Sequence, residues 1–387
     1  MPPEPARRAA RPAAAAALLL CALAACGDEA APAPENRKEP AAAQPAAEGF
    51  TLVATGDLLV HDSVIRQANA DAGGRGHDFR RMLAAAEPTV ASADLALCHM
   101  ETVYGPDGGP FTGYPAFTTP PEIAEAVASV GYDSCSTASN HTLDAGADGV
   151  VRTLDAMDRA GLAHAGSART AEERDTPVLL DAGPAKVAHL AYTYGTNGVP
   201  VPAGEPWLVD LIDPERIVAD ARAARGAGAD VVVVSMHWGT EWQEEPDDTQ
   251  LGLADLLTAS TSEGRKDIDL VLGTHAHVPQ AFEKVNGTWV VYGMGDQIAG
   301  VMTDPRGQLG TAARFTFAPP EAAGEPWTVE KAEYIPHRVA NDPITLVNLP
   351  RALAAEPGDA EHRAALDAID GAVLARGAAA DGLVMGH

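Results

Sequence analysis

Polar side chains that can bind metal ions follow six short apolar segments of this sequence. These side chains are Asp57, Glu101, Asn140, His237, His275 with His277, and Asp296. The segments before them read as β-strands, because they are short, apolar and followed by loops that contain Gly, Asn or His. Since the C-terminal ends of parallel strands meet at one edge of a sheet, these groups are expected to lie close together there.

The pair His275 and His277 is the most specific of these signals. Side chains two residues apart in an extended segment point to the same side, so both rings suit one metal cluster. A single Asp after a strand is more often a helix cap, and a lone His is more often structural. The other histidines are therefore assigned structural or solvent roles: His77, His99, His164, His189, His337, His362 and His387.

The mixture of ligand types indicates the chemistry. Carboxylate, amide and imidazole groups together suit Mn, Fe, Zn or Co better than Ca or a thiolate zinc site. The set exceeds what one tetrahedral zinc ion needs, so two divalent ions about 3.5–4 Å apart are predicted. Such a pair activates water and holds both oxygens of a displacement at phosphorus, which makes phosphoester hydrolysis the expected reaction.

Strands alternate with helices along the chain, which predicts an α/β fold. The run of valines at 231–234 is typical of a strand buried on both faces. The predicted strands are 51–54, 94–97, 135–137, 187–191, 231–235, 270–272 and 289–292, and the predicted helices are 120–130, 147–160, 214–225 and 249–258. After Pro336 the strand pattern stops, and residues 341–387 are predicted to be a helical extension with one helix at 360–376.

The first 26 residues read as a lipoprotein export signal. Arginines precede an apolar stretch, and Leu23-Ala24-Ala25-Cys26-Gly27 resembles a lipobox, in which Cys26 takes the lipid. The alternatives are a plain secretory signal with an incidental cysteine and a single membrane helix, for which the apolar run is short. Residues 27–49 are rich in Ala, Pro and Glu and are expected to be a disordered tether.

The chain is strongly acidic. It has 54 Asp and Glu residues against 27 Lys and Arg residues, and its formal net charge at pH 7 is -27. Such a protein cannot bind nucleic acid by releasing counterions, so no nucleic-acid binding surface is expected. A polyanionic polymer would be repelled everywhere except at bound metal ions, whereas capture of a polymer end or of a lipid phosphate remains compatible with this charge.

Two cysteines, Cys98 and Cys135, fall within the predicted folded region, both in apolar, strand-like runs. In an oxidising compartment they could form a disulfide. Two buried thiols are equally compatible with the spacing, so both alternatives stay open.

Seven motifs in chain order resemble the CapA family, which is associated with poly-γ-glutamate capsule synthesis and is related to the calcineurin-like metallophosphoesterases. The motifs are GDLLVHD, ADLALCHMET, GYPAFTTPPEIAEAV, GYDSCSTASNHTLDAG, VVVSMHWGTEW, LVLGTHAHVPQ and VVYGMGDQIA. The resemblance covers about residues 50–340. It implies a metallophosphoesterase-like, four-layer α/β/β/α sandwich with two divalent metal ions at the strand ends.

The resemblance also implies a role for each metal ligand. Asp57 and His277 resemble ligands of the first metal, and Glu101 stands where those phosphoesterases have a bridging acid. The ligands implied for the second metal are Asn140, His237 and His275.

Other positions concern catalysis or depart from the family pattern. His141 stands where related enzymes have a histidine that protonates the leaving group or binds phosphate, and Asp144 would either orient it or cap the following helix. Leu59 occupies the place of the His in the usual Asp-x-His motif, and His61 is a possible substitute. Asp296 stands where the family has Asn.

The lipobox predicts that the protein is lipid-anchored on the outer face of the cytoplasmic membrane, or otherwise secreted, and the resemblance implies its role there. It would act with a membrane polymer-synthase complex in the synthesis or export of an anionic polymer, through hydrolysis of a phosphoester substrate. One alternative is a non-catalytic, metal-holding scaffold of such a complex. Another is an extracellular phosphodiesterase or nucleotidase unrelated to capsule.

Overall fold

The computed structural model describes residues 48–322 and 324–387. The predicted lipoprotein signal (1–26), its lipid site at Cys26 and residues 27–47 of the predicted tether lie outside the described residues. Within the described part of the chain, no helix combines the length and the apolar character that a membrane crossing requires.

The described residues contain two large sheets, one small hairpin and a set of helices. The strands are Phe50–Leu58 (β1), Leu95–Met100 (β2), Ser134–Ser136 (β3), Ala163–Ala165 (β4), Val178–Ala182 (β5), Ala185–Thr193 (β6), Val231–His237 (β7), Thr261–Ser262 (β8), Arg265–Lys266 (β9), Leu270–Thr274 (β10), Phe282–Val285 (β11), Thr288–Val291 (β12), Asp296–Ile298 (β13), Leu309–Ala318 (β14), Thr328–Asn341 (β15), Ile344–Asn348 (β16) and Leu383–Met385 (β17). The helices are Asp62–Asp71 (α1), Arg80–Leu83 (α2), Glu87–Val90 (α3), Glu122–Val130 (α4), Gly146–Ala160 (α5), Ala171–Arg174 (α6), Pro214–Gly226 (α7), Asp248–Ala259 (α8), Leu349–Ala355 (α9) and Ala360–Val373 (α10). Every predicted strand and helix overlaps one of these elements, and the predicted α/β class is confirmed.

Parallel pairing dominates the centre of both sheets. The first sheet has the order β16-β15-β14-β1-β2-β3-β4, with β13 beside β1 and β17 beside β15, and β1 to β4 pair in parallel. The second has the order β11-β12-β10-β7-β6-β5, and β12, β10, β7 and β6 pair in parallel. The C-terminal ends of these strands therefore meet at one edge of each sheet.

The valines of β7 show how the second sheet is buried on both faces. Val231 and Val233 belong to the apolar core between the two sheets. Val232 and Val234 belong to the core under helices α7 and α8. This division follows from the alternation of side chains along a strand, and it confirms the prediction of a strand that is covered on both sides.

Three apolar cores separate four layers. The first core lies between helices α1, α2, α4 and α5 and the outer face of the first sheet. The second lies between the two sheets, and the third lies between the second sheet and helices α7 and α8. The fold is therefore the predicted four-layer α/β/β/α sandwich.

The C-terminal residues 341–387 contain more than helices. The expectation that strands stop after Pro336 is wrong, because β15 continues to Asn341 and pairs with β16 and β17. β16 contains the polar residues Thr345 and Asn348, and β17 has only three residues, so the sequence signal is weak there. Leu349 of helix α9 and Ile369 of helix α10 belong to the second apolar core, the one between the two sheets. The predicted domain boundary at 340/341 stays a prediction.

Cys98 and Cys135 form a disulfide between β2 and β3, where they are direct register partners. The next register pair along the same strands is His99 and Ser136. The disulfide thus joins two strands whose C-terminal ends carry polar residues of the candidate site.

Candidate metal centre

The parallel register of the first sheet brings three site side chains together. Asp57 in β1 is the register partner of His99 in β2 on one side and of Asp296 in β13 on the other. All three side chains are buried. A carboxylate therefore lies between an imidazole and a second carboxylate on the flanking strands.

The second sheet delivers three histidines. His237 ends β7 and is the register partner of Thr274, the last residue of β10. The chain then turns, because His275 and His277 have φ values of 93° and 55°, in the left-handed region. The expectation that the two rings share one side of an extended segment is therefore wrong. A sharp turn brings both rings to the cluster instead, with ring centroids 6.0 Å apart.

Two groups of candidate ligand atoms share the Asp57 carboxylate. One group is Asp57, His99 and His237, the other is Asp57, His277 and Asp296, and within each group the ligand atoms lie within 4.8 Å of one another. Asp57 Oδ1 is 3.6 Å from His99 Nε2, and Asp57 Oδ2 is 3.5 Å from His277 Nδ1. One carboxylate thus faces both groups, as the bridging acid of a two-metal site does.

Asn140 and Glu101 lie beside these groups. Asn140 Oδ1 is 3.0 Å from His237 Nε2, and Glu101 Oε1 is 3.7 Å from His277 Nε2. The resemblance gives the bridging role to Glu101. In the structure, the carboxylate common to both candidate ligand groups is that of Asp57.

Several buried polar atoms of the cluster have no hydrogen-bond partner among the described residues. They are Asp57 Oδ1, His99 Nε2, both Glu101 carboxylate oxygens, His275 Nδ1 and Asp296 Oδ2. Each unsatisfied buried group costs about 1–3 kcal/mol, and more when it is charged. A divalent cation accepts lone pairs from oxygen and nitrogen alike, so this donor set fits a metal centre.

Burial shifts the pKa values of most cluster residues towards their neutral forms. It raises the pKa of Asp57 to about 7 and the pKa of Glu101 well above its usual range. It lowers the pKa values of His99 and His275 to about 3. For His277, burial acts downwards, but the carboxylates of Glu101, Asp296 and Asp57 together raise the pKa well above its usual value. Without a cation, the charged forms of these buried carboxylates are energetically unfavourable.

His141 lies on the loop between β3 and α5, and its ring is fixed from two sides. His141 Nδ1 is 2.7 Å from Asp144 Oδ2, and the same oxygen accepts the backbone N–H of Phe117 at 2.8 Å. The Phe117 ring packs edge-on against the imidazole, with centroids 4.7 Å apart. Asp144 therefore orients His141 rather than capping α5, whose N-cap residue is Ala145.

Leu59 and His61 make contacts outside the candidate ligand groups. Leu59 is buried in an apolar group with Phe117 and Ala299. The His61 ring accepts the backbone N–H of Gly300 at Nδ1, at 3.1 Å. In the part of the chain that the structure describes, His61 belongs to none of the candidate ligand groups.

Sequence reasoning missed several residues of the site. Sequence reasoning assigned His99 a structural role, whereas its ring lies in a candidate ligand group with Asp57. The loop after β6 is a second omission. It carries Tyr194, whose ring lies 4.5 Å from that of His275, and Asn197, which accepts an amide N–H of Asn140 at 3.3 Å. The polar run Thr-Tyr-Gly-Thr-Asn after the predicted strand 187–191 is the signal that could have found it.

A separate cavity of about 870 Å³ lies between β4, β5, β6 and helices α6 and α7. Its arginines are already paired: Arg169 with Asp158 at 2.6 Å, and Arg174 with Asp220 at 2.6 Å. None of the predicted site residues lines this cavity. The strand-end cluster is therefore the candidate functional site.

Binding of a divalent metal should stabilise the folded protein. At a free metal concentration 100 times the dissociation constant, binding to the folded state adds about 2.7 kcal/mol to the free energy of unfolding. We expect the melting temperature with Mn²⁺ to exceed that with EDTA by roughly 5 °C. Thermal denaturation followed by circular dichroism measures this difference, and identical melting curves in the two buffers would count against a metal centre.

The fold and the cluster define a class: an α/β sandwich protein with metal-ligand side chains at the C-terminal strand ends. The family model described as bacterial capsule synthesis protein PGA_cap matches residues 51–301. The chain belongs to this family.

Individual relatives match part of the chain. "Capsule biosynthesis protein CapA" of Bacillus anthracis is 26% identical over 179 residues, which cover 45% of this chain and 42% of that protein. "Probable polyglutamine synthesis accessory protein" of Mycobacterium tuberculosis is 28% identical over 218 residues, which cover 54% of this chain and 56% of that protein. This chain thus spans about half the length of the relatives it matches.

Solved structures show a weaker likeness. The calcineurin-like phosphoesterase YfkN of Bacillus subtilis aligns with a TM-score of 0.42 and 15% identity, over 83% of this chain and 98% of that chain. The NAD nucleotidase of Haemophilus influenzae aligns with a TM-score of 0.44 and 11% identity, over 88% and 64% of the two chains. At TM-scores this low, nothing about the activity of this chain follows from them.

Proposed function

We propose that this protein is a metal-dependent phosphoester hydrolase that serves the synthesis or export of an anionic surface polymer such as poly-γ-glutamate. The observation that carries the proposal is the buried cluster of unpartnered carboxylate and imidazole atoms, with Asp57 common to two ligand groups. Two-metal sites of this kind occur in hydrolases that act at phosphorus. The family and the names of the relatives support the link to a capsule polymer.

Two sets of residues would hold the ions. The first set is Asp57, His99 and His237, with Asn140 alongside, and the second is Asp57, His277 and Asp296, with Glu101 alongside. A bound divalent ion supplies Lewis acidity, which lowers the pKa of water and offsets negative charge on a phosphoryl group. Because the cluster side chains are buried, a phosphoryl group would have to reach them while the remainder of the substrate stays outside.

His141 is the group that would exchange a proton with the leaving oxygen. Its Nδ1 is held by Asp144, so the nitrogen that could face a substrate is Nε2, which accepts an amide N–H of Asn197 at 3.5 Å. A histidine whose tautomer and ring direction are fixed by a carboxylate is typical of general acid–base catalysis. Asn197 also accepts an amide N–H of Asn140. One side chain is thus hydrogen-bonded both to His141 and to a candidate metal ligand.

The proposal places this domain on the outer face of the cytoplasmic membrane, with a lipid at Cys26 and a tether formed by residues 27–49. A membrane polymer-synthase complex would be its partner there. Because the chain carries a formal net charge of -27, an extended polyanion would be repelled from its surface. The substrate is therefore a polymer end or a lipid phosphate that meets the protein at the metal ions.

The full chain, purified without a metal-affinity tag and without chelator, should contain about one to two transition-metal ions per molecule by elemental analysis. It should also hydrolyse bis-p-nitrophenyl phosphate or a short-chain lipid phosphate in the presence of Mn²⁺. The His275→Ala variant should contain less metal, because it removes a ring from the cluster. His362→Ala, which changes a histidine outside the candidate ligand groups of the described residues, should contain as much metal as the unchanged protein.

Two results would contradict the proposal. One is a protein that contains no metal and takes up no Mn²⁺, Zn²⁺ or Fe²⁺ when these are added. The other is a metal-loaded protein that releases no phosphate or alcohol from phosphomonoesters, phosphodiesters and lipid phosphates, which would favour the scaffold alternative.

A further inference from the structure

The chain lacks the histidine of the usual Asp-x-His motif just after β1. Leu59 stands at that position and packs into an apolar group. His61, two residues later, is hydrogen-bonded to the backbone of Gly300. Leu59 therefore offers no ligand atom, and Nδ1 of His61 already accepts a hydrogen bond.

Glu241, on the loop after β7, lies beside two of the cluster histidines. One carboxylate oxygen of Glu241 and one ring nitrogen each of His275 and His277 lie within 4.8 Å of one another. His275 is only 3% exposed, and its Nδ1 has no hydrogen-bond partner among the described residues. A buried nitrogen without a partner and a nearby carboxylate are both satisfied when a cation lies between them.

The loop that carries Glu241 is attached to the segment that carries the two histidines. The backbone N–H of Trp242 donates to the carbonyl oxygen of Ala276 at 2.9 Å, and the Trp242 ring lies 5.6 Å from that of His277. Arg306 donates from Nη2 to the carbonyl oxygen of Trp242 at 3.2 Å. The backbone N–H and the carbonyl oxygen of Trp242, the residue after Glu241, are therefore both hydrogen-bonded. These bonds fix the position of Glu241 relative to His275 and His277.

The neighbouring acid on the same loop behaves differently. Glu244 forms an ion pair with Arg306 at 2.9 Å, and Arg306 also pairs with Asp304 at 2.7 Å. Within residues 48–322 and 324–387, no Lys or Arg side chain forms a comparable pair with Glu241. Two exposed acids of one loop thus have different surroundings: one is neutralised by a guanidinium group, and the other faces imidazole nitrogens.

We propose that Glu241 is a metal ligand of this protein and binds a divalent cation of the Mn, Fe, Zn or Co class together with His275 and His277. The inference rests on the metal centre of the proposed function, and it adds a solvent-exposed ligand from the loop after β7. Because the Glu241 carboxylate is exposed whereas the histidines are buried, it is the ligand that lies nearest to solvent.

Calorimetric titration of Mn²⁺ into the chelator-treated full chain tests this inference. Glu241→Gln keeps the size of the side chain and removes its charge, and Glu244→Gln makes the same change on the same loop. We expect Glu241→Gln to weaken the binding of at least one ion by about 10-fold to 100-fold, the range seen when a group that supports a metal site is removed. Glu244→Gln should leave the titration unchanged.

A Co²⁺ titration followed by visible absorption gives a second readout, because the d–d bands depend on the ligands of the ion. A Glu241→Gln variant that binds Mn²⁺ as tightly as the unchanged protein, with the same Co²⁺ spectrum, would overturn this inference and leave the metal centre standing. An unchanged protein that binds none of Mn²⁺, Zn²⁺ and Co²⁺ would overturn both. Since the Glu241 side chain is exposed, the melting curve of the metal-free variant should match that of the metal-free parent.

Discussion

Asp57→Asn should abolish the binding of both metal ions and lower any phosphoester hydrolysis by about a thousandfold or more, because metal-ion catalysis is worth several kcal/mol. The reason is the position of Asp57 between the two ligand groups, 3.6 Å from His99 Nε2 and 3.5 Å from His277 Nδ1. An amide has the same shape but lacks the charge that would hold two cations. Metal content by elemental analysis and the rate of hydrolysis measure the two effects.

The thermal stability of the same variant distinguishes an effect on metal binding from an effect on folding. Burial raises the pKa of Asp57 to about 7, so its charged form is unfavourable in the metal-free protein. The oxygen of the introduced amide can still accept the backbone N–H of His275, which in the unchanged protein donates to Asp57 Oδ2 at 3.2 Å. We therefore expect the metal-free variant to melt no lower than the metal-free parent, while the stabilisation by Mn²⁺ disappears.

Asp94→Asn is a suitable control for this experiment. Asp94 lies just before β2, at the opposite end of the strand from His99, where its carboxylate accepts the backbone N–H of Thr51 at 2.7 Å. This substitution should leave metal content and the Mn²⁺-dependent rise in melting temperature unchanged. An Asp57→Asn protein that retains both ions would show that Asp57 is not a shared ligand and would return the bridging role to Glu101.

The general position of the site could be predicted from the sequence, because it depends on strand periodicity and on the polar residues that follow each strand. Asp57, His237 and Asn140 each follow a recognisable strand, and parallel strands bring their ends together. Which side chains of adjacent strands lie next to each other in the site could not be predicted in the same way. His99 faces Asp57 only because β1 and β2 pair in one particular register, which is set by contacts between distant segments.

Two other features depend on local backbone geometry, which the hydrophobic periodicity of the sequence does not predict. His275 and His277 reach the cluster through a turn with positive φ values, whereas the spacing predicts an extended segment. Glu241 lies near them because the loop after β7 is hydrogen-bonded to Ala276. The strands after Pro336 escape prediction for a different reason: β16 and β17 are short and partly exposed, so their apolar alternation is weak.

His141→Ala should lower the rate constant of hydrolysis by about 10²-fold to 10⁴-fold, the usual contribution of a general acid or base, while both metal ions remain bound. The structure explains why the rate of hydrolysis should change while the metal content does not. His141 lies on the loop after β3 and is held by Asp144 and Phe117, and it belongs to none of the candidate ligand groups of the described residues. Steady-state kinetics and elemental analysis on the same preparation measure both quantities.

Asp144→Asn provides the companion measurement, because Asp144 would act only through the ring that it orients. An amide can still accept the N–H of Phe117, which in the unchanged protein donates to Asp144 Oδ2 at 2.8 Å, but it no longer stabilises a positively charged His141. We expect kcat to fall less than in His141→Ala and KM to stay nearly constant, since the loss concerns the proton transfer rather than binding. If instead His141→Ala hydrolyses phosphoesters as fast as its parent, then His141 does not move the proton. If the parent protein and both variants keep their metal ions but none of them hydrolyses a phosphoester, the protein is a metal-holding scaffold rather than a hydrolase.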